Sequence, residues 1–70
     1  MSEDVLAEMV ANVWKVVASD GDHVDAGDTI CILESMKMEI PVEAPTGGTL
    51  ARVVAEGAVV QEGDVIAVIE

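Results

Sequence analysis

Residues 27–34 read Gly-Asp-Thr-Ile-Cys-Ile-Leu-Glu and residues 63–70 read Gly-Asp-Val-Ile-Ala-Val-Ile-Glu, and this repeated stretch decides the fold. Each copy opens with a Gly-Asp turn and continues as a β-branched, apolar run of strand length. Both runs carry apolar residues at odd-numbered and even-numbered positions, and thus on both faces of a strand. We therefore expect one face of each strand in the core and the other face at least partly covered.

The similarity extends to a duplication of residues 11–34 and 47–70. A shift of 36 positions aligns the two segments without a gap, with seven identities in 24 positions. Each copy contains a strand, an acidic-Gly turn, a short extended piece, a Gly-Asp turn and a second strand. The acidic-Gly turns are Asp20-Gly21 and Glu56-Gly57, and the extended pieces lie around Val24 and Val60. Glycine suits such turns because positive φ costs it little.

An all-β fold follows from this pattern. Further strands near Val5–Met9 and Met38–Glu43 bring the expected total to about eight short strands. Two four-stranded antiparallel sheets related by a pseudo-twofold axis would bury both copies, which predicts a flattened β-barrel or sandwich. The length allows one small domain over residues 1–70. Within it, only the segment 35–46 lacks a counterpart in the duplication.

Charge excludes several partners. The chain has 14 acidic and 3 basic side chains, and the cations Lys15, Lys37 and Arg52 are scattered. We therefore expect no binding to nucleic acid and none to an anionic membrane surface. No apolar run approaches the roughly 20 residues that span a bilayer, and the acidic start is unlike a secretory signal, so we expect a cytoplasmic protein.

The inventory of reactive side chains is small. Cys31 is the one cysteine and His23 the one histidine, which makes no metal-site pattern, and we expect Cys31 in the core and His23 on the surface. Trp14 is expected in the core or as a half-buried lid. A chain this short has no room for an enclosed substrate pocket, so we expect no catalytic residue and no enzymatic activity.

The segment between the two copies places Met36-Lys37 at the tip of a tight hairpin. An isolated lysine on a turn is usually a solubilising charge. The flanking Met36 and Met38 are apolar where a tip should be polar, which is typical of a surface recognised by another protein. Lys37 is also the only lysine outside the repeats. We therefore single it out as a modification target.

These residues resemble a known signature. The run Glu34-Ser35-Met36-Lys37-Met38-Glu39 is similar to the attachment motif of the biotinyl/lipoyl carrier family, whose fold is a hammerhead of two sheets with the modified lysine at a hairpin tip. The resemblance implies that a biotin protein ligase joins biotin to Lys37. It also implies that Met36, Met38, Ser35, Glu34 and Glu39 serve recognition.

The resemblance further implies a carrier, a monomer when free. Its tethered biotin would take an activated carboxyl group from a biotin carboxylase to a carboxyltransferase. A lipoyl carrier is the alternative within the family, although lipoyl domains usually have Asp-Lys-Ala at the tip. An unmodified protein-interaction module is the alternative outside it.

Two departures from the family pattern stand out. Ser35 occupies the position where the family usually has Ala before Met-Lys-Met. Residues 7–12 read Ala-Glu-Met-Val-Ala-Asn where the family commonly has Ala-Pro-Met-Pro-Gly, so the prolines and the glycine are missing. Because Asn tolerates positive φ, we expect Asn12 to take the turn role.

Overall fold

The computed structural model describes residues 2–70, and within them eight strands and no helix are found. The all-β prediction is confirmed. The strands are β1 (Glu3–Leu6), β2 (Ala11–Val16), β3 (His23–Val24), β4 (Thr29–Ser35), β5 (Met38–Glu43), β6 (Gly48–Val53), β7 (Val59–Val60) and β8 (Val65–Ile69). The first strand lies earlier than the predicted Val5–Met9, because the chain turns away from the sheet after Ala7.

The strands form two four-stranded antiparallel sheets, with the orders β1-β8-β6-β3 and β5-β4-β2-β7. The short strand of each copy crosses to the other copy. Strand β3 pairs with β6, and β7 pairs with β2. The two copies therefore interlock, and each sheet needs residues from both of them.

The core lies between the sheets and consists of small branched side chains. The largest side chains with almost no exposure are Ile30, Leu50, Ile66, Ile69, Val13 and Cys31. No polar or charged side chain is buried in the described part of the chain. The result is a slender body of 33 × 19 × 18 Å whose stability rests on apolar burial and on the backbone ladders.

The structure revises the alignment of the two copies. Val16 pairs with Cys31, whereas Val53 pairs with Ala67. The second strands of the copies are thus related by 36 positions, but the first strands by 37. The first copy therefore contains one extra residue. It lies near Val17, where the amides of Val17 and Ala18 both donate to the Ile30 carbonyl oxygen. Val17 and Val53 are consequently not equivalent, although the gapless alignment matches them.

The expectation that segment 35–46 lacks a counterpart is also wrong, because β5 corresponds to β1. The Ala44 amide donates to Asp28 O at 2.8 Å, and the Ala7 amide donates to Asp64 O at the same distance. The return bonds, from Gly27 to Ala44 and from Gly63 to Ala7, also match. A comparison of contiguous repeats misses this relationship. Strand β1 pairs with β8 of the second copy, but it lies at the opposite end of the sequence from the rest of that copy.

Two smaller expectations have different outcomes. Asn12 lies inside β2 and not in a turn, so its expected turn role is wrong. The chain instead bends at residues 8–9. Trp14 does not lie in the core, because its side chain is 44% exposed. The Lys15 ammonium lies 5.8 Å from the centroid of its ring.

Residues 2–70 include no helix that is long and apolar enough to cross a membrane.

Candidate functional site

The candidate site is the tip of the β4–β5 hairpin. The ladder runs from the pair Thr29↔Glu43 to the pair Ser35↔Met38, which leaves Met36 and Lys37 as a two-residue connection. Their φ angles are +50° and +67°. Positive φ at both central residues is the requirement of a type I′ turn, the connection that matches the twist of a hairpin.

This backbone is unfavourable for the residues that occupy it. Type I′ turns favour Asn-Gly, whereas a side chain beyond Cβ makes positive φ costly, by about 1 kcal/mol or more for each residue. Met36 and Lys37 are the only residues other than glycine with positive φ in the described chain. Backbone strain of this kind is concentrated at functional sites, where a particular side chain is retained although its backbone conformation is unfavourable.

The side chains of the tip are presented to solvent. Met36 is 92% exposed and Met38 62% exposed, and Lys37 is exposed between them. The one ion pair within residues 2–70 joins His23 and Asp25, so the Lys37 ammonium has no carboxylate partner. Lys37 is therefore sterically and electrostatically accessible to another protein.

The other predicted recognition residues surround the tip. Glu34 and Glu39 face each other across the ladder, and both are exposed, so they add negative charge one level below Met38. Ser35 is half-buried and its hydroxyl donates to the Val10 carbonyl oxygen at 3.2 Å. All six candidates of the sequence therefore belong to one hairpin end.

The structure adds Val10, which sequence reasoning did not select. It lies immediately before β2, is 61% exposed, and is linked to the tip through Ser35. The only sequence signal for it was the missing proline at this position. Val10 is therefore a third exposed apolar residue connected to the hairpin end, besides Met36 and Met38.

The remaining reactive residues lie elsewhere. Cys31 is fully buried, and burial raises the pKa of its thiol to about 11. His23 is exposed, with Nε2 3.3 Å from the Asp25 carboxylate. No cluster of three potential metal ligands occurs in the chain from Ser2 onward.

A shallow groove of about 710 Å³ separates the edge strands β1 and β5. Its lining includes the carboxylates of Glu3 on β1, Glu43 on β5 and Glu62 in the turn before β8, together with apolar side chains. The residues that line it include no serine, cysteine, histidine or lysine. The lining therefore contains no Ser–His or Cys–His pair.

A rigid two-sheet body that displays one unpaired lysine on a strained hairpin tip is the architecture of a cofactor-carrier domain. The chain belongs to the biotin/lipoyl family: the family profile described as "Biotin-requiring enzyme" matches residues 3–69. The predicted resemblance to this family is confirmed.

Two relatives of similar size share this family's sequence pattern. The chain is 56% identical over 70 residues to a homologue of a biotinylated protein in Mycobacterium leprae (strain TN), and the match covers 99% of each chain. It is 46% identical over 63 residues to a biotin/lipoyl attachment protein of Bacillus subtilis (strain 168), which covers 89% of this chain and 86% of the relative.

The fold also occurs within a much larger protein. The crystal structure of the urea carboxylase from Kluyveromyces lactis matches all of this chain with a TM-score of 0.92 and 39% identity. The matched part is only 6% of that carboxylase chain. The two-sheet architecture is therefore shared with a segment of a carboxylase.

Proposed function

We propose that residues 1–70 form a single, non-catalytic biotin carrier and that Lys37 Nζ is the attachment atom. The observation that carries the proposal is the Met36-Lys37 tip, where a strained turn displays an unpaired lysine between two exposed methionines. Membership in a biotin-requiring family and 56% identity to a biotinylated-protein homologue support biotin in preference to lipoate.

The residues at the tip fit an amide-linked cofactor. Lys37 ends in a primary amine, the group that forms a stable amide with the carboxyl group of biotin. Its neighbours Met36 and Met38 are unbranched and mostly exposed, so they leave the amine open to solvent and to an approaching enzyme. Nothing in the described structure has to move for Lys37 to become accessible.

Attachment requires a second protein. Lys37 Nζ must lose a proton before it can bond to the activated carboxyl carbon of biotinyl-adenylate, from which AMP departs. No carboxylate pairs with this ammonium among residues 2–70. We assign the base to a biotin protein ligase. The new amide carries no charge, so the hairpin loses its only cation.

The chain's own contribution to carboxylation is transport. When attached, biotin supplies a ureido nitrogen that accepts a carboxyl group at a biotin carboxylase and yields it at a carboxyltransferase. The rigid body keeps Lys37 at a hairpin end, and the flexible lysine arm gives a high effective concentration at each partner site.

Intact-mass measurement on protein purified from its native host tests this proposal. We expect a single biotin adduct on the wild type, none on Lys37→Arg and a normal adduct on Lys15→Arg. Lys15 is the matched control because it is the other lysine of the chain. A lipoyl mass increment would assign the alternative cofactor. A wholly unmodified native protein would leave an interaction module as the function.

A further inference from the structure

The hairpin end is fastened to the body of the protein by one side chain. Ser35 Oγ donates to the Val10 carbonyl oxygen, 25 positions earlier in the chain, at 3.2 Å. Among the described residues, it is the only side-chain hydrogen bond made by β4 or β5. Val10 belongs to the segment that leads from β1 into β2, so the bond connects the hairpin to a different part of the fold.

This bond lies where support from the sheet ends. Strand β5 is an edge strand, so the β4–β5 hairpin has a neighbouring strand on one side only, where β4 pairs with β2. The β2–β4 register begins at the pair Asn12↔Glu34, and within the described strands no residue of β2 pairs with Ser35. The last level of the hairpin, Ser35↔Met38, therefore extends past its neighbour. Without the hydroxyl, the tip would be held by the β4–β5 ladder alone.

Two unusual residues of this sequence meet in the bond. Ser35 replaces the alanine common in the motif, and Val10 stands where a proline is common. Proline restricts the backbone of its segment, whereas valine leaves it freer. A hydrogen bond to the Val10 carbonyl restores a restraint on this segment. It also links the backbone of the exposed Val10 to the residue that directly precedes the exposed Met36.

We infer that Ser35 is a positioning residue for attachment at Lys37. Its hydroxyl ties the hairpin to Val10 and so presents Val10, Met36 and Met38 as one apolar surface for the ligase around the lysine. This inference rests on the proposed function. The proposed function assigns deprotonation of Lys37 to the ligase. Loss of the Ser35 hydroxyl should therefore weaken binding of the hairpin tip to the ligase and leave the rate of the chemical step unchanged.

The variants Ser35→Ala and Ser35→Thr test the inference, since threonine keeps the hydroxyl and suits a strand. Amide hydrogen exchange is measured on the unmodified proteins, and biotinylation kinetics are measured with a biotin protein ligase. For Ser35→Ala we expect faster exchange at Met36, Lys37 and Met38 and a KM raised about two- to ten-fold, the worth of one neutral hydrogen bond. We expect kcat to be unchanged, and Ser35→Thr to restore both readouts.

Several results would overturn the inference. One is a Ser35→Ala protein with wild-type exchange at the tip and wild-type KM. Another is accelerated exchange over the whole body, with a lowered melting temperature and no selective effect on KM, which would make Ser35 merely structural. If the wild type accepts no biotin at all, the proposed function fails, while the exchange data still decide whether Ser35 restrains the tip. The two failures are thereby distinguishable.

Discussion

The Val53 amide donates a hydrogen bond to the Asp20 carboxylate, 33 positions earlier, at 3.0 Å. Its pseudo-symmetric counterpart joins the Val16 amide to the Glu56 carboxylate at 2.9 Å. In each bond, the acceptor is the acidic turn residue of one copy, and the donor is the last residue of the first strand of the other copy. The acidic residue before each turn glycine is therefore a link between the two copies and not only a solvated turn residue.

Asp20→Ala should lower the free energy of unfolding by about 1 kcal/mol, because it removes an acceptor from the Val53 amide. For a domain of this size that is a fall of roughly 4–8 °C in melting temperature. Thermal melts followed by circular dichroism measure it. Glu62→Ala is the control, since Glu62 is exposed and its side chain makes no hydrogen bond with residues 2–70. Equal melting temperatures for the two variants would contradict the prediction.

Lys37→Gly should raise the melting temperature, because glycine relieves the positive φ of +67° at the tip. The expected gain is about 1 kcal/mol in unfolding free energy. Lys37→Arg keeps the strain and should melt like the wild type. Lys15→Gly, in the middle of β2, should be destabilised instead. A Lys37→Gly protein that melts at or below the wild-type temperature would refute the role of strain.

The exposed methionines should matter more for modification than for stability. Met36→Asn suits positive φ, and Met38→Thr suits a strand, so we expect both melting temperatures within about 2 °C of the wild type. Biotinylation kcat/KM should fall about five- to ten-fold for each, as for a truncated contact residue. Val17→Thr, at an exposed valine beyond the end of β2, is the control and should be modified normally. Comparable losses in all three would argue against a specific recognition surface.

Alkaline pH should weaken the fold through Cys31. Burial raises the pKa of its thiol from 9.0 to about 11, so the folded state holds the proton more tightly than the unfolded state. This contribution to stability is fully present below pH 9 and is lost as the pH rises from 9 through 11, by about 2–3 kcal/mol in all.

Urea melts across this pH range measure the effect, with Cys31→Ala as the control. Alanine already occupies the equivalent position of the other copy, Ala67, which is also buried. The variant should lose about 1 kcal/mol at neutral pH and should lack the fall between pH 9 and 11. An identical alkaline profile for the wild type and Cys31→Ala would assign the effect to other groups.

Gly48→Ala should be strongly destabilising. A Cβ there would lie 2.6 Å from the Glu70 carbonyl oxygen and 2.7 Å from Ile69 Cγ2. Relief requires Glu70 to give up its two backbone hydrogen bonds with Thr49, and we expect a loss of about 1–3 kcal/mol. Gly47→Ala is the neighbouring control, since its nearest contact would be an ordinary 3.5 Å. Similar melting temperatures for both variants would disprove the close approach.

Much of the architecture was predictable because local rules and tertiary packing agree. The Gly-Asp turns and the apolar runs after them predicted β4 and β8, and the Met-Lys step between two extended segments predicted the hairpin tip. The predictions failed where one residue is inserted, near Val17, and where β1 corresponds to β5. Neither event changes local composition, so neither leaves a signal in a gapless comparison.

The sequence by itself determined the all-β class, the duplicated architecture and the prediction of Lys37 as the attachment residue, because these depend on periodicity, turn residues and a short motif. The tertiary structure alone decided the positive φ of Met36 and Lys37, the bond from Ser35 to Val10 and the approach of Gly48 to Glu70. These relationships join segments far apart in the chain or depend on how a turn must twist to fit its strands. Such relationships form only when both sheets have packed around their shared core.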